Sequence, residues 1–255
     1  MIDIHCHILP GIDDGAQTYG DSLNMAAAAA SQGIKKIIAT PHHRNGSYHN
    51  IKSDIIAHTT ELNQRLRDEN IPVEVLPGQE TRINGDMVQD LEQGELLPLN
   101  ETTKYVFVEF PPGHIPRYAS QLLFDLQVAG YVPVIVHPER NREIAENPSV
   151  IYEFIQKGVL SQITAASICG KFGKNIQKLS HQLIEANLSH FLASDAHNTS
   201  SRGFCLAEAY EELQKQHGRE TGFLFMENCE LLINGRTVNR EEAQRIKKKK
   251  FLGIF

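Results

Sequence analysis

The sequence predicts an α/β protein built as an irregular, TIM-like barrel of seven strands, and three observations carry that prediction. Seven short runs rich in β-branched residues alternate with segments of helical character, the pattern of parallel strands joined by crossover helices. A length of 255 residues suits a single barrel, since such folds run to about 250 residues. Side chains able to bind metal stand at the ends of at least six of the runs. An open doubly wound sheet draws its site from few strands at one switch point, whereas a barrel mouth gathers residues from many.

The first run, residues 1–5, continues into Cys6 and His7. Residues i and i+2 of a strand share a side, so His5 and His7 face one place and Cys6 points away. Segment 21–32 carries an alanine run, Ala26 to Ala30, and stops at Gly33. The run at 34–40 leads into Pro41-His42, and 51–69 follows with apolar residues at helical spacings. Run 71–76 ends in Pro77-Gly78-Gln79-Glu80, and run 105–110 holds Glu109 in an otherwise apolar end. Segment 119–129 stops at Gly130, and run 131–137 delivers His137 ahead of Pro138-Glu139-Arg140. Segment 148–157 stops at Gly158 before run 160–165. After segment 172–186, the last run, 189–194, leads into Asp195-Ala196-His197, and 200–215 is the final helix expected.

A hydrophobic content of 41% and a charged content of 22% fit a soluble globular chain. No stretch approaches the roughly 20 apolar residues a membrane span needs, and no export signal opens the chain, so a cytoplasmic location is expected. The four cysteines are scattered without a CxxC pair, which fits reduced thiols. A net charge of −6 argues against nucleic acid as the main partner. Residues 1–246 are expected to form one domain, and 247–255 a basic, then apolar tail, four lysines followed by Phe251-Leu252-Gly253-Ile254-Phe255. The tail reads most simply as a solvated end, with weak docking to a membrane-associated partner or anionic lipid as the sharper alternative.

The strand ends supply His5, His7, Asp14, His42, Glu80, Glu109, His137, Asp195 and His197 as candidate metal ligands. Burying such groups singly is costly, and coordination offsets the cost. Imidazole and carboxylate without thiolate suit Mn²⁺, Zn²⁺ or Fe²⁺. Nine ligands are too many for one ion, so two or three ions are expected. These residues alone define a multinuclear metallohydrolase.

The motifs His5-x-His7, Asp14, Pro41-His42, Gly78-x-Glu80, Glu109, His137-Pro138-Glu139-Arg140 and Ser194-Asp195-Ala196-His197 resemble the PHP (polymerase and histidinol phosphatase) superfamily. The opening, and the His-Pro-Glu-Arg-Asn run at 137–141, resemble its metal-dependent protein-tyrosine phosphatases encoded with bacterial capsule and exopolysaccharide genes. The resemblance covers the whole chain and fills all nine ligand positions. It implies a distorted (β/α)7 barrel of the PHP fold, a trinuclear and usually manganese-dependent site, and phosphotyrosine as substrate. It also implies a cognate bacterial tyrosine kinase, whose phosphorylated tyrosine-rich tail would be the substrate.

Four carboxylates against three divalent cations leave a site near +2, which matches the charge of about −1.5 to −2 on phosphotyrosine. Metal binding lowers the pKa of water towards about 7, so a bridging hydroxide is the expected nucleophile. Asp195 and His197 are expected to take part in catalysis as ligands, and Arg140 and Arg202 to grip phosphate oxygens with planar guanidiniums. A cysteine-dependent route is excluded, because none of the four cysteines has arginine six residues later. Asp13 reads as a turn residue or a ligand, His43 as a possible support for its neighbour His42, and Glu139 as an orienter of Arg140. The alternatives are a small-molecule phosphatase such as histidinol-phosphate phosphatase, and a non-catalytic kinase-binding regulator. A nuclease is disfavoured by the acidic balance. An amidohydrolase with a carbamylated lysine is disfavoured by Glu109 standing where the lysine would be.

Overall fold

The computed structural model describes residues 1–246; the tail expected at 247–255 lies outside the described residues. Nine short strands are present: β1 (Ile2–Cys6), β2 (Lys36–Ala39), β3 (His42–His43), β4 (Glu74–Pro77), β5 (Glu80–Arg82), β6 (Tyr105–Glu109), β7 (Val132–Val136), β8 (Leu160–Thr164) and β9 (Phe191–Ala193). All their pairings are parallel, in the orders β1-β2-β4 and β3-β5-β6-β7-β8-β9.

Nine strands make seven staves. The pairs Ala39↔Pro77 and His42↔Glu80 share one register, so β2–β3 and β4–β5 are each one stave broken in the middle. Pro41 lacks the N–H that a continuous ladder needs. Gly78 sits at the other break, where a Cβ would lie 2.5 Å from Ile38 Cγ2 and 3.3 Å from Ala39 O. Between β9 and β1 the ring closes through Asp195 N donating to His5 O and His7 N donating to Ala196 O, both at 2.9 Å. Asp3 seals the same seam by accepting from the Ser194 amide and hydroxyl. The expected seven-stranded barrel is the observed one, with breaks at the mouth.

The strands are joined and flanked by α1 (Tyr19–Ser31), α2 (Lys52–Asp68), α3 (Met87–Gln93), α4 (Ala119–Val128), α5 (Arg142–Glu146), α6 (Ser149–Gln156), α7 (Ala165–Ile168), α8 (Lys174–Glu185), α9 (Leu206–His217) and α10 (Arg219–Ile233). Thr18 and Asp21 form a capping box that starts α1 two residues ahead of expectation. The expected helix at 200–215 begins only at Leu206. Asn198 Oδ1 accepts from the amides of Ser200 and Arg202 and holds the preceding stretch as a loop, so Arg202 is a loop residue. Sequence reasoning missed α3, α10 and the short α5 and α7; Gly222 inside α10 weakens the helical pattern there, although it lets the helix pack 2.5 Å from Gln214 Cγ at the Cβ position.

Neighbours along a strand alternate between two apolar layers, the period-two signature of a doubly covered parallel sheet. Val106 and Val108 face outward to join Met25, Leu62, Leu123 and Leu183 of the helices. Phe107 faces inward with Ile4, Ile38, Val134, Leu160 and Phe191. Leu232 and Ile233 of α10 belong to this inner layer, and Tyr105, at the start of β6, donates to Arg236 O at 2.7 Å. Helix α10 therefore floors the barrel at the strands' N-terminal ends. Each fully buried Leu, Ile or Phe here contributes about 1.5–3 kcal/mol.

Candidate metal centre

At the other end of the barrel the inner layer changes from carbon to nitrogen and oxygen. His5, His7, Glu80, Asp195 and His197 are buried, and His42, His137 and Glu109 stand just above them. Asp14, 43% exposed at its side chain, closes the rim. All nine expected positions meet here.

Three of the histidines are held the same way. His5 Nδ1 donates to Gln162 Oε1 at 2.8 Å, His7 Nδ1 donates to Asp13 Oδ2 at 2.7 Å, and His197 Nδ1 donates to Asp195 O at 2.9 Å. With Nδ1 donating, the neutral form of each ring carries its lone pair on Nε2, the tautomer a cation requires. His5 Nε2 and His7 Nε2 lie 3.3 Å apart, and His197 Nε2 has no partner among the described residues. Glu80 Oε2 is 3.5, 3.4 and 2.8 Å from His5 Nε2, His7 Nε2 and His42 Nδ1, yet it makes no hydrogen bond of acceptable geometry. Buried imidazole and carboxylate atoms converging on one another in this way are the mark of a cation pocket.

Ligand atoms close enough to share an ion form three overlapping groups: His7, Asp14, His42 and His197; His5, His7 and Glu80; and His42, Glu80 and Glu109. Asp195 Oδ1 lies 3.3–3.5 Å from the Nε2 atoms of His7 and His5, and His137 Nε2 lies 2.7 Å from Glu80 Oε1. The donor chemistry and the shared residues fit a multinuclear divalent centre.

Local backbone makes this convergence possible. Gly15 folds the Asp13-Asp14-Gly15 turn against β1, where a Cβ would stand 2.0 Å from His7 O. That approach brings Asp13 onto His7, and Asp13 also accepts from the His42 amide. His137 and Asp195 have φ values of 35° and 52°, a strained conformation costing about 1–3 kcal/mol for such residues.

The field is that of a site prepared for positive charge. Burial disfavours charged imidazole at His5 and His7. Glu80 and Asp195 beside the first, and Asp13 beside the second, outweigh it, so both pKa values stand above the histidine range. Burial likewise opposes ionised Glu80 and Asp195, but His5 and the other cationic neighbours hold both well below the carboxylate range. Burial and the Arg140 charge pull His137 down to about 4, while burial and the Glu80 charge push Glu109 up.

Both expected phosphate arginines reach the rim. Arg140 donates to Asp195 Oδ2, and Arg202 Nη1 and Nη2 lie 3.3 and 3.5 Å from Asp14 Oδ2 and Asp195 Oδ2. Asp13 takes the expected turn role, its Oδ1 accepting from Gly15 N at 2.9 Å, and also orients His7. Two lesser expectations change. His43 turns away, its ring tilted by 33° against that of His49 at 4.7 Å. Glu139 accepts from Thr164 N and Ser167 Oγ, so it ties the loop to β8 and α7 and leaves Arg140 alone. Sequence reasoning missed Gln162 and also Arg82, which forks onto both Glu109 oxygens at 2.9 Å. The spacing of two from Glu80 on one strand was the available signal for Arg82.

Comparison with known proteins gives one family and close relatives. The family described as capsular polysaccharide synthesis, CpsB/CapC, matches residues 1–234. Tyrosine-protein phosphatase YwqE of Bacillus subtilis (strain 168) is 53% identical over 255 residues, covering 100% of each chain. A solved structure from the pair YwqE of Bacillus subtilis and CpsB of Streptococcus pneumoniae, described as metal-dependent tyrosine phosphatases, superposes with a TM-score of 0.95 at 54% identity, covering 97% of this chain and 100% of that one. A phosphotriesterase homology protein of Escherichia coli, at 12% identity and a TM-score of 0.53 over 87% of this chain and 93% of its own, shares the fold alone.

Proposed function

The chain belongs to the capsular polysaccharide synthesis family CpsB/CapC, and we propose that it is a metal-dependent protein-tyrosine phosphatase. One observation supports the reading above the others. Two arginines converge on carboxylates at the open rim of a buried five-histidine, four-carboxylate cluster. A phosphate monoester needs both halves of that arrangement: cations for its charge and forked donors for its oxygens.

We assign the residues as follows. Each neutral imidazole has one lone pair to give, so Asp14, His42 and His197 would hold one ion; His5, His7, Glu80 and Asp195 a second; and Glu80, Glu109 and His137 a third. Mn²⁺ is the ion proposed, with Fe²⁺ and Zn²⁺ compatible with the same donors. When bound, such ions supply charge for the phosphoryl oxygens and hydroxide at neutral pH. Gln162 and Asp13 keep the imidazoles in the metal-binding tautomer, and Arg82 fixes the Glu109 carboxylate. Arg140 and Arg202 orient the phosphate. The substrate proposed is protein phosphotyrosine on the tyrosine-rich tail of a bacterial tyrosine kinase, met in the cytoplasm. Among the described residues no helix is long and apolar enough to cross a membrane.

The test is phosphate release from a phosphotyrosine peptide, a phosphoserine peptide and histidinol phosphate, with Mn²⁺ and with chelator. Manganese-dependent turnover preferring phosphotyrosine supports the proposal. Preference for histidinol phosphate would keep the centre and discard the protein substrate. Silence with every substrate and metal would leave a binding role only.

A further inference from the structure

Between α7 and α8 the chain turns through Gly170-Lys171-Phe172-Gly173, with both glycines left-handed at φ 72° and 93°. The two turns display Phe172, which is 37% exposed and belongs to neither apolar layer. Its surroundings are chemical. It lines a cavity of about 220 Å³ together with Lys171, Ser194, Asp195 and Arg202. The Arg140 guanidinium lies 5.4 Å from the centre of its ring while also reaching Asp195.

We propose that Phe172 is the wall of an aryl subsite, the residue that selects aryl over alkyl phosphates. The inference rests on the phosphatase reading above. In an aryl phosphate one ester oxygen joins ring and phosphorus, so a phosphate gripped by Arg140 and Arg202 has its ring within reach of Phe172. The cavity lined by Phe172 and Arg202 has room for a phenyl ring, which packs offset or edge-on against another aromatic. A serine phosphate puts nothing there. Tyr48, another aromatic near the ligands, does not line this cavity; its ring lies 11° from parallel to that of His42 at 6.2 Å.

The experiment compares wild type, Phe172→Ala, Phe172→Trp and Tyr48→Ala, all loaded with Mn²⁺, using a phosphotyrosine peptide as substrate and phenylphosphonate or methylphosphonate as competitive inhibitor. Phe172→Ala should raise KM for the peptide and Ki for phenylphosphonate about tenfold, and change Ki for methylphosphonate by less than about twofold. Phe172→Trp should restore aryl binding. Equal weakening of both inhibitors, no weakening of either, or selective loss in Tyr48→Ala instead would overturn the subsite. Those outcomes need an active wild type; a wild type without turnover sinks the phosphatase reading, and the subsite falls with it.

Discussion

At the N-terminal end of the barrel Leu160, Phe191, Leu232 and Ile233 fill the interior with carbon. A few residues further along the same staves, His5, Glu80 and Asp195 are as deeply buried, and every one is ionisable. The floor gains free energy from burial. The mouth loses it, through desolvated charges, unpartnered nitrogens and two strained backbones at His137 and Asp195. The contrast teaches that this fold separates its stability from its chemistry along one axis, and that the proposed divalent ions would relieve the mouth.

The sharpest way to break the contrast is Glu80→Gln, since Glu80 belongs to two of the three ligand groups. Turnover should fall by about a thousandfold or more. Added Mn²⁺ should raise the Tm of wild type but barely that of the variant, because an ion binding only the folded state stabilises it. An unaltered metal response would separate Glu80 from the centre. The opposite cut is Leu232→Ala in the floor, expected to cost about 2–5 kcal/mol of stability with metal content and KM unchanged. Denaturant titration alongside kinetics reads both, and a KM change would show that floor and mouth are coupled.

Arg140→Ala comes next. It should raise KM for aryl phosphates by about ten- to a hundredfold, the loss of a charge-assisted contact, and leave bound metal nearly unchanged. Equal loss of metal would make Arg140 a support for Asp195 instead of a phosphate group.

The smallest effect concerns pH at the floor. Burial, and secondarily the Arg240 charge, pull His190 down to about 3, and its Nδ1 accepts from the Ser161 amide. The folded state thus binds fewer protons than the unfolded one, whose histidine titrates near 6.5. Stability is full above that value and declines as pH drops from about 6.5 towards 3. His190→Asn, which keeps an acceptor at the same place, should flatten that slope. An unchanged slope would assign the acid sensitivity to the mouth.

Much of this contrast could be read from the chain before folding. Run 105–110 announces a buried parallel strand because every residue but its acid is apolar, and Glu109 stands out for the same reason. His5 and His7 follow from the two-residue period. Gly33, Gly130 and Gly158 mark helix ends through local backbone preference alone. Other features were invisible. Helix α10 hides behind Gly222, and the delayed start of α9 depends on Asn198 capturing two amides ahead of it.

Local periodicity, then, determined the order of strands and helices, and the residue types at the strand ends determined the kind of chemistry, because both depend on neighbours a few residues apart. Only the tertiary structure decided who holds whom. Gln162 meets His5 across 157 residues, Arg82 meets Glu109 across 27, and Arg202 meets Asp14 across 188. Phe172 meets Arg140 by the same route. These contacts follow from strand register and barrel closure, which bring distant staves side by side and leave no trace in the spacing of the chain.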